Sequence, residues 1–188
     1  MKKFEFSQVT TRGGDRGESS LVGGDRRRKD DLYFQCLGDL DELISQIGLL
    51  RAHLRLEAKE KQRRFQHLGQ ELREIQLMLQ KIAGLVASPR TGDRSASPIG
   101  EEEVHELEKW EHRLIEETNV PHEFIQPGDH VVSALAHVAR SVCRRAERSV
   151  VSCIRERGRE RLIGSQQYLN RLGDYLFICA LWYDQHRD

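Results

Sequence analysis

Between residues 62 and 88 the apolar side chains fall at Phe65, Leu68, Leu72, Ile75, Leu79, Ile82 and Val86, in alternating steps of three and four. That rhythm places them on one stripe of a helix, and a strand, with its period of two, would scatter them over both faces. A stripe this long needs apolar surface opposite it. Residues 33–57 offer a second stripe through Leu37, Leu40, Leu43, Ile44, Ile47, Leu50 and Leu54. A third runs through Val104, Leu107, Trp110 and Leu114. It is expected to open at a Ser97 cap with Pro98 in the first helical position, ahead of the acidic turn Glu101, Glu102 and Glu103. A fourth helix is expected from an Asp129 cap to about Arg157, and a fifth from a Ser165 cap to about Asp184.

Pro89, Gly92 and the stretch RTGDRSASP separate the second helix from the third, and NVPHEFIQPGD separates the third from the fourth. No segment reads as a strand. Short connections favour antiparallel neighbours, so the fold class is all-α: a five-helix bundle. One domain over residues 1–188 suits the length. Residues 1–32 stand apart as a polar, glycine-rich arm, and residues 33–188 form the bundle.

Thirty basic and thirty acidic side chains cancel, which argues against a general nucleic-acid binder. No apolar run reaches the length of a membrane span. The opening MKKFEFSQVTTRGG has no apolar stretch behind its lysines, so no secretory signal is expected and the location is read as cytoplasmic. Cys36, Cys143, Cys153 and Cys179 form no CxxC pair and read as buried free thiols. His105 and His112, like His130 and His137, are two helical turns apart, which is not a ligand spacing, so no histidine metal site is expected.

The fourth helix has two faces. Leu135, Ala139, Val142, Ala146, Val150 and Cys153 cluster on one. Arg140, Arg144 and Arg148 recur every four residues on the other, with His137 before them and Glu147 beside them. Like charges at this spacing repel by a few tenths of a kcal/mol per pair, roughly. Either acids on other helices offset that, or a polyanion does, and the planar guanidinium fork suits phosphate oxygens. On the fifth helix Leu169, Leu172, Leu176 and Tyr183 face the core, while Asn170, Asp174 and Phe177 share another side. The arm residues GGDRGESSLVGGDRRRKDD bring glycines that let backbone N–H groups approach a phosphate, two serine hydroxyls and the charges of Arg12, Arg16 and Lys29. There is no GxxxxGK[ST], so the arm is not a Walker loop.

Five segments together resemble the PduO-type ATP:cob(I)alamin adenosyltransferases. TRGGDRGESSLVGGDRRRKDD is similar to that family's T-x-x-G-D-x-G-x-[ST]-[ST]-x-x-x-G motif. GDLDELISQIGLLRA, EFIQPGD, ARSVCRRAERSVV and YLNRLGDYLFICA follow in the family's order. The resemblance implies a helix-bundle enzyme that moves the 5′-deoxyadenosyl group of ATP onto the cobalt of cob(I)alamin and releases triphosphate. It implies a homotrimer with active sites between subunits, Mg²⁺ accompanying ATP, and a reductase that supplies cob(I)alamin. The nucleotide contacts it implies are Thr11, Arg12, Gly13, Gly14, Ser19, Ser20 and Lys29 on the arm, completed by Arg144, Arg145, Glu147, Arg148 and Asn170. Arg144, Arg148 and Asp41 would be catalytic, with Asp41 paired across the interface to Arg144. Phe124 would cover the lower face of the corrin.

Gly13, Gln126, Asp129 and Gly173 depart from the family pattern. The departures at Gly13, Asp129 and Gly173 leave room for a second reading, a bundle that binds ATP or adenosylcobalamin without turnover; a third reading is a helical module whose arginine stripe meets an acidic partner.

Overall fold

In the computed structural model residues 5–57, 63–89 and 97–187 are described. The connection over residues 90–96 falls outside them. The elements are α1 (Phe6–Val9), β1 (Glu18–Ser20), β2 (Arg26–Arg28), α2 (Leu32–Glu57), α3 (Arg63–Ala87), α4 (Glu101–Glu116), α5 (Val131–Arg157), a 3₁₀ turn (Glu160–Leu162) and α6 (Ile163–His186). The five long helices make the bundle. Helix α2 packs between α3 and α5, and α6 packs between α5 and α4. Asp31 meets Arg157, and Asp39 meets Arg145, so α2 and α5 run antiparallel.

The predicted stripes are the core. All seven apolar residues of the α3 stripe are buried, as are Leu40, Leu43, Ile47, Leu50 and Leu54 of α2. Each such side chain contributes about 1.5–3 kcal/mol of transfer free energy. The predicted face of α5 is buried from Ala139 to Cys153. His137 breaks the expected pattern: it does not stand with the arginines in solvent but is 6 % exposed, turned towards Phe177 of α6.

The helix starts differ from the expected ones, for local reasons. Helix α4 begins after Gly100, not at Ser97. The Glu103 carboxylate reaches back to accept the Gly100 N–H at 2.8 Å, and Lys81 of α3 fixes that carboxylate at 2.6 Å. Asp129 does not cap α5; the residue before the helix is His130, and no side chain bonds the free amides. Ser165 does not cap α6 either, because the helix starts two residues earlier and Ser165 is fully buried within it. Gly164 makes that start possible: a Cβ there would stand 2.0 Å from the Ile99 carbonyl oxygen. Helix α2 does have a side-chain cap, with Asp31 Oδ1 accepting the Tyr33 N–H at 3.0 Å.

The expectation of no strand is also corrected. The arm folds into an antiparallel hairpin, with Ser19 opposite Arg27. Gly23 and Gly24 turn it at φ of +87° and +83°, a region side chains with a Cβ avoid. Leu21 is 5 % exposed, and the Val22 N–H donates to the Ala87 carbonyl at the end of α3 at 3.0 Å. One buried side chain and one backbone bond thus dock the arm on the bundle.

Candidate functional site

The arm hairpin is held by charge pairs. Arg26 bonds Glu18 at 3.2 Å, and Arg27 lies between Asp25 and Asp31 with its guanidinium over the Tyr33 ring at 5.1 Å. The Asp25 hydrogen bond, first among several causes, raises the Arg27 guanidinium further. The Lys29 N–H donates to the Gly17 carbonyl at 2.8 Å, which folds β2 back on the loop over residues 12–17. That fold brings the Lys29 ammonium against Gly14: a methyl group there would lie 2.9 Å from Nζ. Arg12 sits in the left-handed region at φ 55°, a conformation that costs a residue with a Cβ about 1–2 kcal/mol. Thr11, Arg12, Gly13, Arg16 and Ser20 are exposed, and Ser19 and Gly14 are half-buried.

Past the arm lies a cleft of about 670 Å³ between the start of α2 and the C-terminal half of α5. Asp30, Asp31 and Gln35 line one side, and Arg145, Arg148 and Glu156 the other. Three arginines of α5 behave differently here. Arg145 is committed: its Nε donates to Asp39 at 3.0 Å and its Nη2 pairs with Glu42. Ser149 donates to the second oxygen of the same Asp39. Arg144 and Arg148 are exposed and, among the described residues, no hydrogen bond or ion pair engages their guanidinium groups. The Arg144 stem lies over Gly173 of α6, where a Cβ would sit 3.9 Å from its Cγ, so a side chain there would make ordinary contact.

Asn170 is the best-fixed polar group on this side. Its Nδ2 donates to Glu147 Oε1 at 3.2 Å, and its Oδ1 accepts from Arg171 Nη1 at 2.8 Å. Arg171 is itself held by Glu108 of α4 at 2.7 Å, and the Arg171 hydrogen bond is the largest cause that lowers the Glu108 carboxyl. Burial, then the Asp174 charge, push the Glu111 carboxyl up. Arg171 and Glu108 were not among the residues expected from sequence; the one signal was that Arg171 adjoins Asn170. All four thiols are buried; burial pushes those of Cys143 and Cys179 up, whereas the hydrogen bond between Cys36 and Cys153 raises the first and lowers the second.

The structure therefore brings Glu147 to Asn170, Lys29 to Gly14, and Arg148 to the cleft below the arm. No hydrogen bond or ion pair among the described residues joins Thr11–Ser20 to Arg144 or Arg148 within one chain. Asp41 is exposed on α2, between the Arg145 partners Asp39 and Glu42 in sequence. Phe124 is fully exposed on the loop before α5, so it is not an ordinary core phenylalanine.

Residues 9–183 match the family model described as cobalamin adenosyltransferase. The chain belongs to that family. It is 37% identical over 180 residues to the corrinoid adenosyltransferase MMAB of Mus musculus, covering 94% of this chain and 72% of that protein. It is 36% identical over 176 residues to the corrinoid adenosyltransferase of Citrobacter freundii, covering 92% of this chain and 93% of that one. A solved structure of a variant PduO-type ATP:corrinoid adenosyltransferase from Lactobacillus reuteri, complexed with cobalamin and ATP, is similar at a TM-score of 0.79 and 28% identity. That likeness covers 94% of this chain and 93% of the other. The helical architecture and the transferase class follow from these likenesses. Among the described residues no helix is long and apolar enough to cross a membrane.

Proposed function

We propose that this chain transfers the 5′-deoxyadenosyl group of ATP to the cobalt of cob(I)alamin. The observation that carries the reading is Arg144 and Arg148: exposed, one helical turn apart and without an acid partner among the described residues, on the helix that continues the family match. Arg148 lines the cleft and Arg144 stands one turn before it on the same helix; two unpaired guanidinium groups so spaced suit a triphosphate. Lys29, Thr11, Arg12, Gly13, Gly14, Ser19 and Ser20 are assigned to the same nucleotide from the arm. Glu147 and Asn170 are assigned to its nucleoside end, Asn170 with its amide orientation already set by Arg171.

The arm and the α5 arginines are not joined within one chain, which supports an active site completed by a second copy in a homotrimer. In that assembly Asp41, exposed on α2, would pair with Arg144 of the neighbouring subunit, and Arg145, already neutralised by Asp39 and Glu42, would serve position more than phosphate binding.

Cobalt(I) brings its own electron pair. That pair becomes the new cobalt–carbon bond at C5′, while the C5′–O bond breaks and triphosphate leaves with the electron pair of the broken bond. The protein's work is alignment and charge stabilisation at the leaving group, which falls to Arg144 and Arg148. The carboxylates of the cleft do not fit a protein cage for Mg²⁺: Asp30 is paired with Arg28, Asp31 meets Arg27 and Arg157, and among the described residues no group of three or more acids, cysteines or histidines could hold a metal ion, so the ion would come with the substrate phosphates and neutralise their charge. Phe124 is assigned to cover the corrin's lower face and exclude an axial ligand, a role its exposed, apolar ring supports. A reductase must supply cob(I)alamin by one-electron reduction of cob(II)alamin, and the setting is a reducing cytoplasm.

Purified protein mixed with ATP, Mg²⁺ and chemically reduced cobalamin should form adenosylcobalamin, followed by its absorbance change. ATP uptake with no cobalt–carbon bond under those conditions would replace catalysis by delivery or sensing of the cofactor.

A further inference from the structure

At the other end of α2 a second group of arginines stands together. From Asp39, level with Ser149, to Arg51 the helix rises about 18 Å, so this group lies well away from the nucleotide cleft. Arg51 and Arg55 are one turn apart on α2, and Arg73 faces them from α3. Between the helices is a cleft of about 490 Å³ whose polar lining is these three guanidinium groups and the carboxamides of Gln66 and Gln70. Among the described residues no carboxylate lines it.

The contacts of the three are unequal. Arg51 is half-buried, donates from Nε to the Gly69 carbonyl at 3.2 Å and from Nη1 to the Gln76 amide oxygen. Those neutral partners fix its plane without cancelling its charge. Arg55 and Arg73 are exposed, and none of the three forms an ion pair among the described residues. Burial, followed by the charges of Arg55 and Arg73, pulls the Arg51 guanidinium down. A chain with as many acids as bases has carboxylates to spare, yet among the described residues none is placed here. Elsewhere its arginines find them readily: Arg113 on Glu71, Arg145 on Asp39, Arg171 on Glu108.

We propose that the cleft walled by Arg51, Arg55 and Arg73 is a second anion site, one that takes a phosphate-bearing ligand. Donors line it from both helices, one of them is held rigid, and its volume lies in the range of small-ligand pockets. Planar guanidinium groups recognise the paired oxygens of a phosphate, and the amides of Gln66 and Gln70 add neutral donors to the same oxygens.

The test is calorimetric titration of the full chain with inorganic triphosphate. Two binding events are expected. The double variant Arg55→Gln/Arg73→Gln should weaken one of them about tenfold or more, with an unchanged melting temperature, since both side chains are exposed. Arg148→Ala should weaken the other and leave this one intact. Uptake of cyanocobalamin in place of triphosphate, lost in the same double variant, would keep the site and identify its ligand as a phosphodiester. A single event that Arg148→Ala abolishes, or two events that both survive Arg55→Gln/Arg73→Gln, would overturn the second site while leaving the nucleotide cleft standing. Loss of sensitivity to Arg148→Ala alone would count against the nucleotide cleft and not against this one.

Discussion

Helix α6 has two polar sides, and they differ in how far the chain finishes them. Towards α2, α3 and the end of α4, three aromatic polar groups find carboxylates. Tyr175 donates to Glu71 at 2.8 Å, Trp182 Nε1 donates to Glu117 at 2.8 Å, and Tyr183 donates to Glu57. Glu71, 3 % exposed, also accepts from Arg113 at 2.8 Å and meets His67 at 3.1 Å. Towards α5 the account is open. His137 Nδ1, Arg140 Nε and Asp184 Oδ1 are buried with no hydrogen-bond partner, around a Phe177 ring that faces both His137 and Arg140. Arg144 and Arg148 continue the same helix with no ion pair among the described residues. The first side is not perfect, since Arg113 Nε is buried there without a partner, but its charges are paired within the chain; the second leaves three buried polar atoms and two arginines open, and reads as surface kept for something outside it.

The largest effect should come from the open side and appear in rate, not stability. Arg148→Ala removes a charge that touches no acid within the chain. Its melting temperature should stay within the change expected of a surface substitution, about 0.5 kcal/mol. If it stabilises the leaving triphosphate, kcat/KM for adenosylation should fall roughly 10²–10³-fold, as for loss of one donor at a developing charge. Unchanged turnover would remove Arg148 from the site.

Glu71→Ala breaks the finished side and should give the opposite profile. It strips a carboxylate from Arg113, Tyr175 and His67 at once, and removing one partner of a buried ion pair costs about 3 kcal/mol. Denaturant unfolding should show that loss, while rate per folded molecule changes little. A loss under about 1 kcal/mol would mean that the network is solvated and the comparison is drawn too sharply.

A steric break on the finished side should cost somewhat less. Gly164→Ala drives a methyl group into the Ile99 carbonyl, and backbone must shift; overpacking of this kind costs about 1–3 kcal/mol. The melting temperature should fall accordingly. No change would mean that the segment ahead of α4 yields freely.

The apolar stripes were legible because a period of three and four leaves one buried face, and the α3 stripe is buried at every position named. The arm hairpin was not. Its strands are ESS and RRR, three residues each with no alternating apolar pattern, and what docks them is Leu21 and a backbone bond to Ala87. The missed helix starts share one cause. A serine or aspartate shows where a cap could form, but Lys81 holding Glu103, or Ile99 crowding Gly164, decides where it does. For the site, spacing alone put Arg144 and Arg148 on one face. It could not separate Arg145 from them in role, since that depends on Asp39 and Glu42 across the helix interface. Nor could it show that Asn170 is oriented by Arg171 and Glu108.

The smallest effect tests the open side through protons. Burial, then the charge of Arg140, lowers the His137 pKa, while the charge of Asp184 raises it less. His137 is therefore neutral in the fold at a pH where the unfolded chain, near 6.5, already binds a proton. The unfolded state then holds more protons, so stability is full above about pH 6.5 and declines as pH falls towards the lowered value. His137→Gln should flatten that part of the curve, measured as melting temperature against pH at fixed protein concentration. If a second copy or a ligand covers this face and supplies the missing partner to Nδ1, ATP and cobalamin, or a higher chain concentration, should shift the inflection. An inflection that stays put under all of these, and survives His137→Gln, would mean that the unpaired atoms at His137, Arg140 and Asp184 are simply tolerated.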